Sequence, residues 1–184
     1  ALDALSYAGR HMHPPNIKVV VGAIESYQQP LEFGLEVFTN VPWPEDLADF
    51  AAHAKSSATL ALKAFAGFTT AAQDPDPAMG AYRAMGLSTK AIEAAYPLSY
   101  MLPPVSRYFL EPSHRDNQPL LEALGKSDVQ MPNVGVMHAD NASQERGGFS
   151  VYVPEYYAGE EVPLVVALHG GSGHGRQFLW SWLR

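Results

Sequence analysis

The sequence predicts an α/β chain: an all-helical N-terminal region over residues 1–130, then, over 131–184, the opening of a mostly parallel sheet with three strands and a first crossover helix. Three observations predict it. Apolar residues recur at three- and four-residue spacing from Leu47 to Ala72, the period of a helix with one buried stripe. Leu164 to Leu168 is an unbroken apolar run, as expected of a strand covered on both faces. Between them, near Pro132, helical spacing gives way to short segments of β character.

Each element follows in order. Ala1 to Met12 lacks the basic-then-apolar order of a signal peptide, and Gly9-Arg10-His11-Met12 resembles a cloning scar, so residues 1–12 are expected to be partly vector-derived. Asn16 to Asn40 mixes helix formers with the β-branched run Ile17-Lys18-Val19-Val20-Val21 and reads as helices broken at Pro30. Pro42-Trp43-Pro44 is a turn. Pro44 stands where a first helical position tolerates a missing N–H, and Glu45, Asp46 and Asp49 lie near the positive helix end.

Leu47, Phe50, Ala54, Ala58, Ala61, Phe65 and Phe68 then form one apolar stripe, so a single long helix is expected over 44–72. Asp74-Pro75-Asp76-Pro77 ends it. A shorter helix over 78–85 leads to Gly86, and Ser88 is placed as the N-cap of another that runs to Ala95 before Pro97. Pro103-Pro104 opens an irregular stretch to Pro119, and Leu120 to Leu124 adds a helical turn before Gly125.

After Pro132, Val134 to His138 is read as a strand and Phe149 to Pro154 as a second, with Phe149, Val151 and Val153 on one face and a loop over 141–148 between them. Leu164 to Leu168 is the third, the second lying antiparallel to its neighbours. A helix starts near Gly175 or Arg176. A strand followed by a crossover helix delivers the chain to a parallel neighbour. The chain is therefore expected to be incomplete, with the outer edge of 164–168 paired to polypeptide outside this sequence.

Composition narrows the function. With 47% hydrophobic and 17% charged residues, the 184-residue chain has the make-up of a soluble globular protein. A net charge of −7 without a Lys/Arg cluster excludes a nucleic-acid footprint. The absence of cysteine removes disulfides, thiolate metal sites and a cysteine nucleophile. No apolar run is long enough to span a membrane, so a cytoplasmic location is the default. His11 and His13, with the scattered His53, His114 and His138, show no metal-ligand spacing, and neither a metal nor a cofactor is expected.

The chemistry concentrates in His169-Gly170-Gly171-Ser172-Gly173, directly after the apolar run. Glycines there allow backbone N–H groups to point into a cleft and hold an anionic oxygen; the plain alternative is a tight strand-to-helix turn without a ligand. Neither G-x-x-x-x-G-K-[ST] nor G-x-G-x-x-G is present, which disfavours a phosphate cradle. Together with Phe178-Leu179-Trp180-Ser181-Trp182, the segment resembles the oxyanion loop of α/β-hydrolase serine esterases, particularly the bacterial phospholipase/carboxylesterase group, over about residues 134–184.

That resemblance implies hydrolysis of a carboxylic ester through an acyl-enzyme. Gly171 would supply the oxyanion N–H, Gly170 and Ser172 would be lesser donors, and His169 would brace the loop by hydrogen bonds. The sequence departs from the family in having no G-x-S-x-G. The nucleophile, acid and base are therefore expected on further hydrolase polypeptide, of this chain or a companion, and Ser172 lacks the elbow a nucleophile needs. The partners implied are a small ester substrate and a second copy as homo-oligomer, with no nucleic acid. Two other readings stand beside this one: a non-catalytic helical interaction module whose helical region and sheet edge need a covering partner, and peptidase, lactonase or depolymerase chemistry, among which fold does not choose.

Overall fold

A computed structural model of the chain describes residues 1–125, 133–141, 147–154, 157–170 and 173–183. In order the elements are α1 (Leu2–His11), α2 (Ile17–Ile24), α3 (Gln28–Thr39), α4 (Ala48–Ala71), α5 (Ala78–Ala95), α6 (Pro103–Phe109), α7 (Gln118–Leu124), β1 (Gly135–Ala139), β2 (Phe149–Val153) and α8 (Gly175–Trp182). They form two compact units, Ala1–Leu110 and Glu111–Arg184.

The first unit is built on the antiparallel pair α4 and α5, joined by Asp74–Pro77. Asp74 Oδ1 accepts from Asp76 N at 2.9 Å and holds the turn. The stripe expected over residues 47–68 does face inward: Ala61, Ala64, Phe65, Phe68 and Ala71 are buried against Ala81, Ala84, Ser88, Ala91 and Ala95. Small residues bring the two backbones close. A Cβ built on Gly80 would stand 2.9 Å from the Ala71 Cβ, and one on Gly67 3.1 Å from the Ala84 Cβ. Ser57 Oγ crosses the interface and donates to the Ala91 carbonyl at 2.9 Å. Leu5 and Ala8 of α1 and Ile17, Val20, Val21 and Ile24 of α2 complete the core. Ser6 and Tyr108 share a 3.0 Å hydroxyl contact that ties α6 to α1.

Several local expectations are corrected here. Pro30 does not break a helix but sits in the first turn of α3, where its missing N–H has no intrahelical acceptor to lose. Pro103 and Pro104 likewise open α6 instead of an irregular stretch. Ser88 is no N-cap: α5 runs unbroken through Gly86, and Ser88 is buried inside it, because packing against α4 outweighs the poor helix propensity of one glycine.

The fold class is corrected as well. The chain is mostly helical, and among the described residues the sheet has two strands, β1 and β2, antiparallel, with Gly135 opposite Val153 and Ala139 opposite Phe149. Among the described residues there is no parallel α/β sheet and no three-stranded opening of one. Leu164 to Leu168 has no regular secondary structure and is exposed, with Leu164 at 81% and Leu168 at 87%. The physical reason is that a strand's hydrogen bonds are all made to another segment, so an apolar β-branched run without a neighbour to pair with gains nothing by extending. A helix closes its bonds within itself, which is why α4 and α5 follow their pattern and 164–168 does not.

Candidate functional site

In the second unit the hairpin places side chains by alternation. Val136 and Tyr152, and His138 and Ser150, are cross-strand pairs on one face; Met137 and Val151 lie on the other. Gly148, at φ +68°, makes the return into β2 possible. A Cβ there would fall 2.1 Å from the Asp140 carbonyl oxygen, so no other residue fits.

The His138/Ser150 pair is a polar cluster that sequence reasoning missed. His138 Nδ1 and Ser150 Oγ are 2.8 Å apart, and Asn141 Nδ2 donates to the same Oγ. Ser150 Oγ thus joins the imidazole and the amide, and which of His138 Nδ1 and the hydroxyl donates follows from the histidine tautomer. The pair comes from the register, which sets residues 138 and 150 opposite each other across the two strands, though neither residue stands in a motif. Gly175, the first residue of α8, packs against this cluster. A Cβ on it would be 3.1 Å from Asn141 Nδ2 and 3.7 Å from Ser150 Oγ, so the bare backbone lets α8 begin against β2.

Ahead of α8 two contacts meet on the Gly170 carbonyl. Gly173 N donates to the Gly170 carbonyl at 2.8 Å, and His169 Nδ1 lies 2.9 Å from the same oxygen. A carbonyl only accepts, so His169 serves that contact as the Nδ1–H tautomer. A Cβ on Gly173 would be 3.0 Å from His169 Cβ and Nδ1; glycine is what allows this approach to the histidine. His174 is the N-cap of α8, its Nδ1 accepting from Arg176 N at 3.3 Å. The His169 ring meets Phe178 edge-on at 6.4 Å, and Phe178 meets Trp182 at 6.2 Å.

Of the residues singled out by sequence, His169 and Gly170 are exposed and hydrogen-bonded to each other, whereas Gly171 and Ser172 lie outside the described residues. Trp180 is buried and Trp182 exposed. Among the described residues no three His, Asp or Glu side chains gather closely enough to hold a metal ion, and no helix is long and apolar enough to cross a membrane. No family model, curated protein or solved structure matches the chain.

Proposed function

We propose that this chain takes part in hydrolysis of carboxylic esters through an acyl-enzyme, contributing the turn that binds the tetrahedral oxyanion. The supporting observations are the Gly173 N–H bond to the Gly170 carbonyl, the His169 contact to the same oxygen, and the capped N-terminus of α8 that follows. Peptide N–H groups beside the positive end of a helix dipole make the environment an oxyanion requires. Gly171 N–H is the proposed donor, with Gly170 and Ser172 as lesser ones. The serine nucleophile, its histidine base and the orienting acid come from further hydrolase polypeptide, of this chain or a companion, since G-x-S-x-G is absent from this sequence. The chemistry needs no cofactor.

The test uses the active hydrolase that contains this chain with the nucleophile-bearing polypeptide. Gly171→Pro removes the donor and is expected to lower kcat on a short-chain p-nitrophenyl ester by about 10²–10³, with less effect on KM, because the contact matters most in the transition state. Gly171→Ala keeps the N–H and is expected to lose less. Circular dichroism first establishes that each variant is folded. A folded Gly171→Pro enzyme working at the parent rate removes the residue from the mechanism. Failure of a fluorophosphonate to label any serine in an assembly holding this chain removes the esterase function itself.

A further inference from the structure

The first unit leaves one apolar helix face uncovered. On α3, Leu31, Leu35 and Phe38 are half-buried on the side that faces the core, and the Phe38 ring lies 4.5 Å from Trp43 and 6.3 Å from Phe50. The apolar band does not stop there. Successive helical residues are turned by about 100°, which puts Phe33 and Val37 on one ridge, with Tyr27, Pro30 and Val41 beside it. Phe33 is 67% exposed, and Tyr27, Val37 and Val41 are exposed too. Gly34 interrupts this face in mid-helix, and a Cβ on it would meet nothing within 4 Å. Glycine is the poorest helix former after proline, and its effect here is a notch, open to solvent, beside Phe33 and Val37.

The sequence that carries this helix has charge of one sign. Between Lys18 and Lys55 there is no lysine or arginine, and the stretch carries Glu25, Glu32, Glu36, Glu45, Asp46 and Asp49, nearly the whole net charge of −7. All six are exposed, and none has an ion-pair partner among the described residues. Glu32 and Glu36, exposed on the same helix, each precede a ridge residue and lie about 100° round the helix from Phe33 and Val37.

We propose that this face of α3 docks a basic amphipathic helix of a partner protein, its apolar ridge seated on Phe33 and Val37 at the Gly34 notch and its Lys/Arg side chains against Glu32 and Glu36. Charge complementarity selects that occupant. A second copy related by a two-fold axis brings the Glu32/Glu36 row against itself. An anionic bilayer or a nucleic acid is repelled. The other exposed apolar segment of this chain, Val162 to Leu168, follows Glu160 and Glu161 and carries no positive charge. A helix laid in an acidic-rimmed apolar groove is an established mode of peptide recognition.

The test is titration of the full chain with an 18-residue leucine/lysine amphipathic peptide, read by calorimetry and by tryptophan fluorescence, Trp43 lying against Phe38, and compared with the same peptide with glutamate in place of lysine. The lysine peptide is expected to bind and the glutamate peptide not to bind. Phe33→Ser with Val37→Ser keeps the charge and is expected to weaken binding at least about tenfold. Glu32→Gln with Glu36→Gln is expected to weaken it several-fold at low salt and to flatten its salt dependence. All four side chains are exposed, and circular dichroism checks that the folds are intact. The proposal is overturned if the lysine peptide fails to bind, if its affinity survives Phe33→Ser/Val37→Ser, if the glutamate peptide binds equally, or if sedimentation shows self-association that Phe33→Ser abolishes.

Discussion

The two units handle the same kind of residue in opposite ways. In the first, Phe65, Phe68 and a set of alanines disappear between α4 and α5. In the second, Leu164, Val165, Val166 and Leu168, just as apolar, stand in solvent beside a two-stranded hairpin. Hydrophobicity is common to both; what differs is how each segment satisfies its backbone. A helix is hydrogen-bonded before it packs, so a stripe on one helix needs only a stripe on another. An extended run needs a partner strand for its backbone and a cover for its side chains, and a hairpin whose two strands pair with each other gives it neither. Burial therefore follows pairing, and an apolar run is a strand only in company.

The strongest way to break that contrast is in the helical core. Phe68→Ala removes a fully buried ring between helices that already approach through small residues, and is expected to cost about 3–5 kcal/mol, read as a shift in the urea midpoint of the 222 nm signal; a change under about 1 kcal/mol would mean that α4 and α5 are not packed as described. Two glycines of α5 then sharpen it by having opposite signs. Gly80→Leu must displace Ala71, whose Cβ is 2.9 Å from the new carbon, and overpacking of this kind costs about 1–3 kcal/mol. Gly86→Ala enters open space and is expected to stabilise by about 0.5–1 kcal/mol, the helix-propensity difference. Equal effects at the two sites, in calorimetric melting, would refute the close approach at Gly80. The smallest effect is expected in the other unit: Leu164→Ser with Val166→Ser should leave stability within about 0.5 kcal/mol, since both side chains are exposed, while reducing light scattering on concentration. A loss of several kcal/mol there would place the run in a core.

How much could be read in advance differs element by element. The stripe from Leu47 to Phe68 and the Asp74–Pro77 stop were legible because period and breaker are local properties of the chain. The two strands around residues 135–139 and 149–153 were legible too, from alternation bounded by glycine. Pro30 and the Pro103-Pro104 pair misled because a proline ends one helix or starts the next according to which residue is first in the turn, and neighbouring helices choose that. Ser88 misled because capping and burial suit the same residue type in different surroundings. In the proposed site, His169 stood out beside its glycines, whereas His138, Ser150 and Asn141 come together only through the hairpin register and the seating of Gly175.

The sequence by itself determined the long helix of α4 with its apolar stripe, the stop at Asp74–Pro77 and the two strands of the hairpin, because each depends on residues within a turn or two of one another. Only the tertiary structure decided that α5 runs unbroken through Gly86, that His138 faces Ser150, and that Leu164 to Leu168 is left exposed. Those outcomes depend on which distant segment is present to pack or to pair, and non-local contact carries a free energy that no window along the chain contains.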